Sequence, residues 1–276
     1  MCGVAEVERL DELAGRWRRT GDAKQAERAY RKALAIAELH LAPGHLTAAR
    51  VRNNLAVLLK FVGRFEQAAA LYERSLEDFV AALGPEHCEV ATVLHNLGGL
   101  AHAAGQPAAG EAAARRAVEI REAALGADDP DTAADRAALA SILDATGRQH
   151  EAAELLEHAL EVFERALGPA HYEVGVTLGS LGTIDARLGD LEGADTRLRR
   201  ALAIKEHWLG PNHVELVPTL GTLGVVRRRP PPHRDAQGKP GTPHRRQREP
   251  DRSWRHTSAA APRPHDDADR APSVRQ

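Results

Sequence analysis

Fourteen histidines invite a metal site or acid–base chemistry, and their spacing argues against both. His45, His87, His171 and His213 stand 42 or 84 residues apart. A zinc site needs about four ligands converging on one ion, whereas a ladder at fixed spacing distributes its members along a chain. His233, His244, His256 and His265 fall in a C-terminal stretch of different composition. His95 and His102, seven residues apart, would share one helical face and could touch a ligand, but no third ligand accompanies them. Cys2 and Cys88 form no CxxC or His-paired spacing, so neither zinc nor a disulfide framework is indicated, and a reducing compartment fits. No HExxH, GxxxxGK[ST] or GxSxG is present, and Gly179-Ser180-Leu181-Gly182 falls where a helix should run. The expectation is a non-enzyme with no catalytic residue, metal or cofactor.

The elements that position these residues follow from two glycine ladders. Leu-Gly recurs at Leu83-Gly84, Leu125-Gly126, Leu167-Gly168 and Leu209-Gly210, with Leu41-Ala42 one period earlier. A second series runs Gly21, Gly63, Gly105, Gly147 and Gly189 on the same 42-residue period. Glycine takes the left-handed conformation just past a helix end at little cost, so each period should hold two helix C-termini. Between the ladders apolar residues recur at three- and four-residue steps, as in Leu55, Leu58, Leu59 and Val62, then Ala68, Leu71, Tyr72, Leu76, Phe79 and Leu83. Pro85, Pro169 and Pro211 follow the second helix, and Asp129-Pro130 marks the start of the next first helix. The apolar mass is 43% with only 4% aromatic, which suits close helix packing and disfavours a β-sandwich. The fold class is therefore all-α.

These residues resemble the tetratricopeptide repeat, in the 42-residue variety found in kinesin light chains and many bacterial proteins. Its packing code reads here as Leu13, Leu55, Leu97, Leu139 and Leu181, each followed by Ala or Gly. Small residues of the second helix fall at Ala26, Ala68, Gly110, Ala152, Ala194 and at Ala33, Ser75, Ala117, Ala159, Ala201. The large knob falls at Tyr30, Tyr72, Leu156 and Leu198, and only Ala114 breaks that series. Asn53-Asn54-Leu55-Ala56 and Leu94-His95-Asn96-Leu97-Gly98 carry the likeness to kinesin light chains. The resemblance covers about residues 6–226 and implies a right-handed α-solenoid. Its units lie near 6–44, 45–86, 87–128, 129–170 and 171–212, with a partial unit at 213–226.

The resemblance also implies where the chain works. First helices of such arrays line a concave groove that takes an extended peptide or a partner helix. Carried over, the groove positions are Glu8, Asp11, Arg18, Arg19, Arg50, Asn53, Lys60, Phe61, Thr92, His95 and His102, then Ala134, Ala137, Asp144, Val176, Gly179 and Arg187. Asn53, Asn54 and Asn96 match the asparagines that hold a peptide backbone, whereas Ala138, Ser180 and Thr222 replace the second asparagine later. With Arg18, Arg19, Arg50 and Lys60 nearby, the expected segment carries an acidic residue. The candidate partner-binding residues are Arg18, Arg50, Asn53, Asn54, Lys60, Phe61, His95, Asn96 and His102.

Beyond the repeats the text changes. Residues 227–276 hold 13 Lys+Arg against 6 Asp+Glu, leaving the remainder at −9 of a net charge of −2. Rich in Arg and Pro with few aliphatics, this stretch is expected to be a disordered basic tail. Its composition is also what a GC-rich gene yields when read out of frame. A basic tail could bind nucleic acid or another polyanion, a reading weighed below groove binding. So is that of a regulatory module detached from a nucleotide-hydrolysing signalling protein. The last helix, with Leu216, Val217, Leu220, Leu223 and Val226 lacking a partner helix, is expected to self-associate. No apolar stretch approaches the roughly 20 residues of a membrane span, and the N-terminus carries no secretory signal pattern, so a cytoplasmic, membrane-free protein is expected.

Overall fold

The structure is a computed structural model that describes residues 2–228, without the Cys2 side chain. Five helix hairpins follow one another: α1 (Cys2–Arg19) with α2 (Ala23–His40), α3 (Leu46–Phe61) with α4 (Phe65–Leu83), α5 (Cys88–Ala103) with α6 (Pro107–Leu125), α7 (Pro130–Ala145) with α8 (Gln149–Leu167), and α9 (Tyr172–Leu188) with α10 (Leu191–Leu209). A short 3-10 turn, Val214–Leu216, leads into α11 (Val217–Arg228). The described residues contain no strand. The first helix begins at Cys2, four residues before the expected start of the array. Arg227 and Arg228, expected to open the tail, instead complete α11, and the rest of the expected disordered segment lies outside the described residues.

Both glycine ladders mark helix ends. Gly84, Gly126, Gly168 and Gly210 close the second helices at φ of 85–93° and ψ of 154–163°, a region almost restricted to glycine. Where the first period has Leu41-Ala42, the helix ends one residue earlier. Leu41 is extended at φ −109°, and Gly44 takes the positive φ of 75° instead.

The four periodic histidines are helix N-caps. Nδ1 of His45, His87, His171 and His213 accepts from the amide two residues on at 3.1–3.3 Å. In the fourth unit Asp129 does the same at 2.9 Å. An aspartate at this position accepts equally well and adds a charge that the helix dipole favours. Accordingly, His87→Asp should raise stability by about 0.5–1 kcal/mol, read as a higher denaturation midpoint. A lowered midpoint would contradict the capping account.

The small and large residues do what helix packing requires. Tyr30, Tyr72, Leu156 and Leu198 are at most 2% exposed and sit where Ala26, Ala68, Ala152 and Ala194 let the two helices of a pair approach. The third pair, lacking a knob at Ala114, closes further. A Cβ built on Gly110 would lie 2.7 Å from the carbonyl oxygen of Gly98, and one built on Gly98 would lie 3.0 Å from the Ala114 Cβ.

At the C-terminal end the expectation of a wholly uncovered apolar face is corrected. Leu216, Leu223 and Val226 are 1–5% exposed, the last two packing with Ala186, Ala194 and Leu198. Only Val217 and Leu220 of the expected five, together with Val225, remain exposed. A helix laid against the preceding pair necessarily buries one of its faces, so only the opposite stripe is left.

Candidate ligand-binding groove

Which helices face the groove follows from which ones touch. Among the described residues, α1 packs on α3, α3 on α5, α5 on α7 and α7 on α9, whereas no second helix touches the next second helix. First helices are therefore crowded on the inside of the curve and second helices splay on the outside. The groove floor is a row of equivalent positions on the first helices: Asp11, Asn53, His95, Ala137, Gly179 and Gly221.

Side-chain bonds join one first helix to the next at three of the four junctions between α1 and α9. Asn54 Nδ2 donates to Asp11 at 2.9 Å, Asn96 Nδ2 donates to the Asn53 carbonyl oxygen at 2.9 Å, and Arg187 donates to Asp144 at 2.5 Å. Each link spans 43 residues, one period plus one. Asn53 is 8% exposed. Part of the hydrogen-bonding capacity of the asparagines thus holds the solenoid's inner face together. Asp11 has its carboxyl raised above the usual range, first by burial, against which the Asn54 bond and the Arg50 and Arg18 charges act.

Arg18, Lys60 and Phe61 come together at one end of the groove. The Lys60 ammonium lies 5.6 Å from the centre of the Phe61 ring, and that ring is 73% exposed. Phe61 and Arg18 line a cavity of about 420 Å³ with Leu58 and Val62. Burial, and then the neighbouring Arg18 charge, lower the Lys60 ammonium from its ordinary value. Arg18 Nε and the hydroxyl of fully buried Tyr72 have no hydrogen-bond partner among the described residues. Burial is also what raises the Tyr72 phenol, opposed by Arg18. Arg50 lies farther along, 3.6 Å from Glu8.

His95 and His102, expected to act from one face, go separate ways. His95 Nδ1 lies 2.7 Å from Asp135 Oδ1. The other oxygen of Asp135 accepts from Arg121 Nε at 2.6 Å, and Arg121 also donates to Thr92. Asp135 and Arg121 are 3% and 8% exposed, a buried ion pair joining α6 to α7. His102 is exposed and lines a second cavity, of about 370 Å³, at the far end of the groove.

That cavity holds the residue that sequence reading missed. Lys205 belongs to α10, an outer helix, yet it lines the groove cavity. Its ammonium lies 3.4 Å from where a Gly179 Cβ would stand, so the missing side chain on the floor opens a window. The presence of Gly179 among the groove positions was the available signal, but nothing in the spacing says which side chain fills the gap.

Among the described residues no group of three or more His, Cys, Asp or Glu could hold a metal ion, and no helix is long and apolar enough to cross a membrane. Among curated proteins no significant sequence match is found. Solved structures do match. The chain is similar to a Podosopora anserina protein described as kinesin light chain with nearly identical TPR-like repeats, at 23% identity and a TM-score of 0.63, covering 75% of this chain and 98% of that one. It is similar to BtubC from P. vanneervenii at 24% identity and a TM-score of 0.63, covering 76% and 84%. A Rap protein complexed with Competence and Sporulation Factor aligns at 14% identity and a TM-score of 0.64, over 82% and 66%. At these identities the likeness speaks for the fold. The family model for the tetratricopeptide repeat matches residues 13–79, 89–165 and 151–207, more than half of the chain, and with the helix hairpins and their packing code it places this chain in the tetratricopeptide repeat family.

Proposed function

We propose that this chain is a non-catalytic scaffold whose concave groove binds an extended peptide or a partner helix, with Arg18, Arg50, Lys60, Phe61 and the free faces of Asn53, Asn54, Asn96, His95 and His102 making the contacts. The observation that carries this reading is the set of unanswered groups at the N-terminal end of the groove. Lys60 has no carboxylate within ion-pairing distance among the described residues, and Phe61 stands open beside it. A peptide supplies an acidic side chain for the cation and backbone partners for the asparagines. The solved Rap complex shows an array of this fold holding a partner. Exposed Val217, Leu220 and Val225 on α11 support self-association as a further use of the surface.

Binding of fluorescent twelve-residue peptide pools to the full chain tests the groove. Lys60→Met should weaken binding about tenfold, the value of one charge-assisted hydrogen bond, and Asn96→Ala about fivefold, that of a neutral one. Glu161→Ala, on the exposed outer face of α8, should change nothing. Peptide binding indifferent to Lys60 and Asn96 would sink the proposal.

A further inference from the structure

One repeat position in the second helices is occupied, after Ala37 in the first unit, by Phe79, Arg121, Phe163 and Lys205, each 42 residues after the last. Fourteen residues further on, in the next unit, stand Val93, Asp135, Thr177 and Thr219, which share the same period. From the second unit on, two solutions alternate. In the second and fourth units an aromatic ring, 2–3% exposed, packs in the apolar core. In the third unit the ring becomes Arg121, and the opposing residue becomes Asp135, which neutralises it at 2.6 Å.

The fifth unit has the cation without the carboxylate. Lys205 is half-buried, and opposite it stands Thr219, 3% exposed, whose hydroxyl is 3.7 Å from the same Gly179 Cβ position as the ammonium. Among the described residues no carboxylate reaches Lys205 within ion-pairing distance. Glu215 is near enough to favour the charge, though burial outweighs it and lowers the ammonium overall. The Glu215 carboxylate is itself engaged by the Tyr172 hydroxyl. Asp144 in the cavity wall is held by Arg187 at 2.5 Å. A half-buried cation without a counter-charge has lost part of its hydration with nothing in return, and this one opens into a cavity of about 370 Å³ also lined by Ser141 and Thr183, whose hydroxyls donate to the Ala137 and Gly179 carbonyls.

From this comparison of repeats we infer that the Lys205 cavity is a carboxylate-binding pocket, in which a carboxylate of a peptide lying along the groove takes the place that Asp135 fills beside Arg121. The source is an acidic side chain or the peptide's C-terminus. Gly179 is part of the device, because any side chain there would close the window. The inference rests on the groove-binding reading and adds a second anchor at the opposite end from Lys60.

The test scans a single Glu against Gln through twelve-residue peptides, with free or amidated C-termini, bound to the full chain and to three variants. In the parent chain, Glu at one position besides the one that answers Lys60, or a free C-terminus, should strengthen binding about tenfold. Lys205→Met should abolish that preference. Thr219→Asp, which builds the internal carboxylate of the third unit, should abolish it too while raising the melting temperature by about 2–4 °C. Lys60→Met should leave it in place. A preference that follows the free C-terminus supports the same pocket. Peptides that bind with no position responding to Lys205 or Thr219 overturn the pocket and leave the groove standing. Peptides that bind nowhere overturn both.

Discussion

Asp135→Ala lowers the stability of the array by about 3–5 kcal/mol, because it strands a buried charge. Arg121 is 8% exposed and donates from Nε to this carboxylate at 2.6 Å; without it the guanidinium keeps only Thr92 and a distant Asp131 among the described residues. The large effect does not mean that the pair is a net source of stability. The flanking units have buried Phe79 and Val93, and buried Phe163 and Thr177, at the same two repeat positions. Arg121→Phe combined with Asp135→Val should therefore be at least as stable as the parent, since well-packed apolar groups avoid desolvating two ions. Denaturant midpoints of the two singles and the double give the coupling directly. A double variant as unstable as Asp135→Ala would show that packing at this site, rather than the stranded charge, sets the loss. His95 would also lose the carboxylate it faces, so the same variant frees a groove histidine.

Gly110→Ala is expected to cost about 2 kcal/mol, although alanine stands at the equivalent place in every other unit and favours helix by about 1 kcal/mol. The reason is local. With Ala114 in place of a tyrosine or leucine knob, α5 and α6 approach until a Gly110 Cβ would meet the Gly98 carbonyl at 2.7 Å and the Ala101 Cβ at 2.9 Å. Backbone cannot rotate aside, so the helices must separate and leave Ala114 facing a void. Ala114→Leu alone should be destabilising for the mirror reason. Together the two substitutions reproduce the fifth unit, where Leu198 and Ala194 pack against Gly182. The helices then need to move apart only once, so the double variant should lose less than the sum of the singles by about 1 kcal/mol or more. Additive losses would contradict the close-approach account.

The repeat period, helix ends and packing code were open to reading because they are local and repeated. A glycine past a helix end and an alanine facing a knob obey rules that involve a few neighbouring residues, and five periods of agreement multiply a weak signal. Asp129-Pro130 announced a cap that His87 and its counterparts also form, and the histidine ladder dissolved into turns as its spacing implied. Groove residues were legible only as positions. Asn53 and Asn96 bond to each other across adjacent units, which spacing within one helix cannot disclose.

What depended on the folded molecule were the departures from the repeat. Arg121 and Asp135 are 14 residues apart and pair because one sits on an outer helix and the other on the following inner one. Lys205 reaches the groove because Gly179, on a different helix, leaves a gap. Leu223 and Val226 of α11 are covered by Ala186, Ala194 and Leu198, a matter of how the last helix lies against its predecessors. The amino-acid text alone defines a stack of helix pairs, because apolar periodicity acts within each helix. Which charges are answered inside the stack, and which are left without a counter-charge, is set by contacts between helices.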